Sequence, residues 1–225
     1  MATIVIVPGA FDGGWRWKVV RLALQADGHE VYALTLTGLG ERSHLATPDV
    51  GLDTHVQDVV NVLEYEDLRD VVLVGHSYGG MVVTAVADRA AARLTRLIYV
   101  EAALPREGEC GFDMFPPEVR ASWEEQARLD GEGWCTPPGP GADRRAAPMP
   151  LKTGQQPLRL TGTGRRSVPG AYVHCTAKTG RDAFARSADR ARERGWPVHE
   201  LATGHDPQGN AAERTALVEL LLKIV

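Results

Sequence analysis

Ser77 stands in "VGHSYGG" (74–80), where Gly75, His76, Ser77, Tyr78 and Gly79 form a G-x-S-x-G pattern. A β-branched run precedes the pattern and a helix-like stretch follows it. That context predicts a nucleophile elbow, a tight strand-to-helix turn that lifts a serine hydroxyl above a sheet. Glycines flank the serine because side chains there would collide. A serine hydroxyl is a weak nucleophile without a base, and seven histidines compete for that role. His205, in "LATGHDP", follows the last predicted strand and precedes the last predicted helix, where such a base belongs. His76 lies inside the elbow and should point away from the serine. His29, His174 and His199 sit at or within strands, where packing or solvation accounts for them. His44 and His55 lie near a loop that could border a pocket, without a second supporting feature.

Acyl chemistry also needs donors for an oxyanion, and after an elbow these are backbone N–H groups. The candidates are Tyr78, next to the nucleophile, and Ala10 in the glycine-rich loop "VPGAFDGGWRW" (7–17). A third feature is a puzzle. In "LIYVEAALP" (97–105) an apolar strand runs into Glu101. A carboxylate at the edge of a core destabilises unless it is partnered. A salt bridge to an arginine such as Arg42 is one explanation.

The elements that must position these residues alternate along the chain. Strands are expected at 3–9, 29–36, 70–77, 94–102, 170–176 and 197–203. Helices are expected at 15–26, ending at Gly28, at 53–65, with Val56, Val59, Val60 and Leu63 on one face, at 79–92, at 182–194, which is charged, and at 211–223, which is apolar. The alternation implies right-handed crossovers and an α/β fold: a doubly wound, mostly parallel six-stranded sheet. Residues 106–168 interrupt it with recurring proline and glycine and one short helix candidate near 117–129. We expect a small inserted cap there, with 137–166 as a mobile loop, all within a single domain, 1–225. Phe112, Met114, Phe115, Trp123 and Trp134 would line an apolar pocket or form the cap's own small core.

At 225 residues, 44% hydrophobic, 24% charged and a net charge of −4, the chain suits one globular domain. The acidic balance argues against nucleic acid and anionic membranes as partners. Cys110, Cys135 and Cys175 are far apart and odd in number, which suggests free thiols in a reducing compartment. No basic leader or long apolar run appears, so the expected location is the cytoplasm. Neither a metal nor a cofactor is called for, and the expected partner is a small-molecule substrate.

The pieces "VPGAFDGGWRW", "LTLTGLGERSHL", "VGHSYGGMV" and "TGHDP", in that order, resemble the α/β-hydrolase superfamily. The resemblance is to the branch of plant methyl esterases and hydroxynitrile lyases and their bacterial relatives. It implies Ser77 as nucleophile, His205 as base, and Ala10 and Tyr78 as oxyanion donors. The family's leading hairpin is missing, and its usual His-Gly after the first strand is Pro8-Gly9. Where that branch keeps its catalytic acid, "AYVHCTAKTGRD" places Lys178, which cannot orient a histidine. Other α/β-hydrolases carry the acid one strand earlier, which points to Glu101. Asp182, which also reads as a helix cap, is the alternative acid.

The resemblance implies a serine hydrolase (carboxylesterase-like) acting on an ester, thioester or lactone of a small organic molecule. A lyase or cyclase in a biosynthetic pathway, or a ligand-binding protein with the fold, are the alternatives. The lyases' threonine and lysine are Gly9 and Asp206 here, which argues against cyanohydrin chemistry.

Overall fold

The structure is a computed structural model and describes residues 1–162 and 168–225. Its centre is a six-stranded sheet built from β1 (Thr3–Val7), β2 (Glu30–Ala33), β3 (Val71–Ser77), β4 (Leu94–Ala102), β7 (Gly170–Cys175) and β8 (Val198–Leu201). The order is β2-β1-β3-β4-β7-β8, and every pairing is parallel. All residues of β3 are buried, as expected for a central strand covered on both faces.

Side chains alternate between the two faces of each strand, and two cores follow from that alternation. Ile4, Ile6, Val72, Val74, Ile98 and Val100 pack with Trp17, Val20, Leu24, Leu217 and Leu221. This side is covered by α1 (Lys18–Ala26) and α7 (Ala211–Ile224). Val5, Val7, Leu73, Leu97, Tyr99 and Tyr172 pack on the opposite side. There the cover is α2 (Leu52–Tyr65), α3 (Gly79–Arg89) and α6 (Ala185–Glu193).

Between β4 and β7 the chain leaves the sheet and forms α4 (Pro117–Asp130), a two-stranded ribbon of β5 (Cys135–Thr136) and β6 (Met149–Pro150), and α5 (Leu151–Gln155). The stretch expected to be a loop is therefore partly ordered structure. Met149 and Leu151 are buried, and those few apolar anchors are scattered among prolines and glycines. Residues 163–166 of that expectation lie outside the described residues. The predicted second strand is also shorter than expected. After Ala33 the chain departs from the sheet, and Thr35 accepts a hydrogen bond from the Gly14 N–H instead. Among the described residues no helix is long and apolar enough to cross a membrane.

Candidate active site

Ser77 is the last residue of β3 and has φ of 52°, in the left-handed region that non-glycine residues rarely adopt. The strain, on the order of 1–2 kcal/mol, is held by close packing around the turn. A Cβ on Gly80 would sit 2.0 Å from the Ala103 carbonyl oxygen, and one on Gly79 would sit 2.6 Å from that of Val7. These glycines let α3 start directly against β1 and β4, and the serine is presented at their junction.

His205 lies on the loop between β8 and α7, and its Nε2 is 3.0 Å from the Ser77 Oγ. The ring stacks on Phe184, with centroids 5.0 Å apart and planes 13° apart. His76 does point away from the serine, into the core against Trp17. Its Nε2–H donates to the backbone carbonyl of His205 at 2.9 Å. The residue before the nucleophile thus anchors the loop that carries the base, a role that sequence position alone did not reveal. Burial lowers the pKa of His205 to about 4, helped by the neighbouring His76 and Lys178 and opposed by Asp206. The imidazole is therefore neutral at neutral pH and free to accept the Ser77 proton.

The loop after β1 supplies the other side of the site. Phe11 has φ of 65°, and its carbonyl accepts from the Ala147 N–H at 2.9 Å, which ties the loop to the inserted segment. Neither the Ala10 nor the Tyr78 backbone N–H donates to an acceptor among the described residues. The Tyr78 side chain is held elsewhere. His55, fully buried, donates from Nε2 to the Thr37 carbonyl at 2.9 Å, so its Nδ1 accepts from the Tyr78 hydroxyl at 3.0 Å. Burial keeps His55 neutral by lowering its pKa to about 4. The sequence offers no second feature for His55; the contact to Tyr78 is that feature, and it is visible only in three dimensions. His44 is exposed, and His29 accepts from the Ala2 N–H.

Glu101 does not reach His205. The pairing of Ser77 with Ala102, after His76 with Val100, leaves Glu101 as the extra residue of a bulge with φ of 43°. Bulges re-aim side chains, and this one directs the carboxylate toward β7. There it accepts from the Cys175 N–H at 2.7 Å and from the Lys178 ammonium. Its side chain is fully buried, and burial pushes its pKa up, only partly offset by those donors. The expected partnership with His205 is thus replaced by a buried ion pair with a lysine, not with Arg42, which pairs with Asp58. Asp182 does not reach His205 either. It accepts from Lys178 at 2.6 Å, from the Phe184 N–H at 2.9 Å and from the Ala185 N–H at 3.1 Å, and it holds His174 at 2.7 Å. Burial would raise the pKa of Asp182, but Lys178 and the Phe184 N–H outweigh it and hold the value at about 2. The Nδ1 of His205 is buried with no hydrogen-bond partner among the described residues.

A cavity of about 340 Å³ opens above Ser77, bounded by Ala10, Tyr78 and His205 below. From the inserted segment, Phe112, Phe115 and Trp123 line it, so three of the five aromatic and methionine candidates face the pocket. Met114 packs into the main core, and the Trp134 indole N–H donates to Glu132. Phe112 and Trp123 also stack edge to face within the insert's own cluster. Asp12, Arg16, Asp143 and Asp206 complete the polar part of the wall. Among the described residues, His76, His205 and Asp206 bring ligand-type atoms within 4.8 Å of one another, close enough for a metal ion. Both histidines in that trio already use their Nε2 atoms, one on the His205 carbonyl and one on Ser77.

Comparisons with known proteins agree with this architecture. The model of the "Alpha/beta hydrolase family" matches residues 4–217. A carbendazim hydrolyzing esterase from Nocardioides sp. (strain SG-4G) is 37% identical over 230 residues, covering 92% of this chain and 93% of that protein. Methylesterase 2 from Arabidopsis thaliana is 32% identical over 103 residues, 45% of this chain and 39% of its own length. Among solved structures, an extracellular α/β-hydrolase from a Paenibacillus species superposes with a TM-score of 0.84 at 22% identity, over 99% of this chain and 98% of that one.

Proposed function

The chain belongs to the α/β-hydrolase family, and on that premise we propose that its esterase-like activity is cleavage of an ester, thioester or lactone of a small organic molecule through an acyl-enzyme on Ser77. One observation carries the reading: a strained serine 3.0 Å from the Nε2 of a neutral, buried histidine, at the floor of a largely apolar cavity. In the first step Ser77 Oγ attacks the carbonyl carbon while its proton passes to His205 Nε2. The carbonyl oxygen becomes an oxyanion between the N–H groups of Ala10 and Tyr78, whose donors have no competing acceptor among the described residues. His205 then gives the proton to the leaving alcohol or thiol. Water, deprotonated by His205, attacks the acyl-enzyme and restores Ser77.

The pair works without a carboxylate bonded to the imidazole. Asp206, whose charge acts to raise the pKa of His205, supplies through space the opposite charge that an imidazolium needs. The aromatic wall of Phe112, Phe115 and Trp123 suits an apolar or aromatic group on the substrate.

A fluorophosphonate probe tests the reading directly. Labelling of the wild type at Ser77, with none of the Ser77→Ala variant, is the expected result. A folded wild-type protein that takes up no probe would return the site to ligand binding.

A further inference from the structure

Among the described residues, one carboxylate of the cavity wall accepts no hydrogen bond. Asp12 faces the same space as Ser77, and its side chain is 16% exposed. Among the described residues its carboxylate accepts no hydrogen bond. Its nearest cation is the Arg16 Nε at 3.8 Å, too far for a hydrogen bond, and that Nε is itself buried without a partner. The other two carboxylates of the wall are engaged. Asp143 accepts twice from the Arg145 guanidinium at 2.8 Å, and Asp206 accepts from Gln208 at 3.2 Å. A carboxylate partly withdrawn from water gains from a donor, and partial burial raises the pKa of Asp12 to about 7, against the pull of Arg16.

Position says what would satisfy it. Asp12 lies two residues after Ala10, so the two sites are within about 7 Å along the chain. A group bound to Asp12 is therefore attached only a few bonds from the carbonyl that Ala10 polarises. The partner must be a donor. Arg16 also faces Asp206 at 3.7 Å, and Arg145 is held by Asp143, so three carboxylates stand against two guanidinium groups and an N–H fits this place whether it is neutral or charged. We propose that Asp12 is a specificity-determining residue that selects esters carrying an N–H within a few bonds of the reacting carbonyl. The inference rests on the hydrolytic reading of Ser77.

Two esters that differ by one group test it: phenyl hippurate, with an N–H two bonds from the ester carbonyl, and phenyl 3-benzoylpropanoate, with CH₂ in its place. Phenyl acetate is the control. Rates are measured at pH 8.5, where Asp12 is ionised, and the ratio of kcat/KM values is corrected by the ratio of hydroxide-catalysed rates. The wild type should favour the hippurate by about tenfold or more, the effect of one hydrogen bond to a charged acceptor. Asp12→Leu should abolish that corrected preference, and Asp12→Asn, whose amide oxygen still accepts, should keep part of it. An equal corrected ratio in the wild type, a preference that survives Asp12→Leu, or turnover of phenyl acetate without turnover of hippurate would each overturn the assignment. Failure of the hydrolytic reading looks different: phenyl acetate would then not be turned over, or its turnover would survive Ser77→Ala.

Discussion

Two polar clusters sit at neighbouring strand ends, and they differ in what they leave open. At the end of β4 and β7, Glu101, Lys178 and Asp182 satisfy one another, and Asp182 also holds the Nε2 of His174, whose Nδ1 has no partner among the described residues. Glu101 has two donors, Asp182 has several, and Lys178 bridges the two carboxylates. At the end of β3, the side chains of Ser77 and His205 bond only to each other among the described residues, where His205 Nδ1 and the N–H groups of Ala10 and Tyr78 also have no partner. The first cluster spends its charged groups on the fold. The second keeps capacity in reserve beside a cavity, which is what a reacting group requires. Predictions follow from breaking each cluster in turn.

The largest effect is expected in the open cluster. Ser77→Ala should lower kcat for a model ester by up to about 10⁶-fold, because nucleophile and base act as a unit. Its melting temperature should stay within a few degrees of the wild type, since Ser77 is held by glycine packing and not by its hydroxyl. Ester assays and a thermal melt of the same preparation check both halves.

The closed cluster should answer in stability instead. Lys178→Met removes the ammonium from two carboxylates, one of them fully buried. Breaking a buried pair by deleting one partner costs about 3–5 kcal/mol. Denaturant unfolding should register that loss at pH 7. Unchanged stability would mean that the ion pair is not formed in solution.

A pH profile sharpens the contrast between the two. The base must be unprotonated to work, and the pKa of His205 is lowered to about 4. The acid limb of kcat/KM should therefore fall near pH 4, about two and a half units below that of an unperturbed histidine. An acid limb at pH 6 to 7 would indicate that a carboxylate supports His205 after all.

The sheet was legible because buried parallel strands announce themselves. "TIVIV" and "VVLVGHS" are continuous apolar runs, and the six expected strands are the six observed ones, with ends trimmed by a few residues. The elbow was legible for the same reason, since glycine is forced wherever helix and strands meet within contact distance. What could not be read was the aim of side chains after irregular backbone. Glu101 occupies the expected place in the chain, but the bulge with φ of 43° turns its carboxylate toward Cys175 and Lys178. The buttress of His55 on Tyr78 spans 23 residues, and that of His76 on the His205 carbonyl spans 129. Neither separation leaves a local signature.

The smallest effect on chemistry is expected where the sequence suggested one of the largest. Glu101→Gln keeps the shape of the side chain, and its amide oxygen can still accept from the Cys175 N–H. Its amide NH₂ then faces the Lys178 ammonium, donor against donor, although Asp182 still holds that lysine. A stability loss of about 1–3 kcal/mol is expected, the range for one unsatisfied buried group. Because the carboxylate makes no bond to His205, kcat of the folded variant should stay within about tenfold of the wild type, and Asp182→Asn should behave likewise. A true triad acid behaves differently: its replacement by the amide costs about 10⁴ in kcat with geometry intact. The two cases separate cleanly in one experiment, kcat measured well below the melting temperature of each variant. A 10⁴-fold loss in a folded Glu101→Gln protein would mean that Lys178 swings away during turnover and lets the carboxylate reach His205 Nδ1. The closed cluster would then be an inactive arrangement of the open one, and the stability cost of Lys178→Met should come with raised activity.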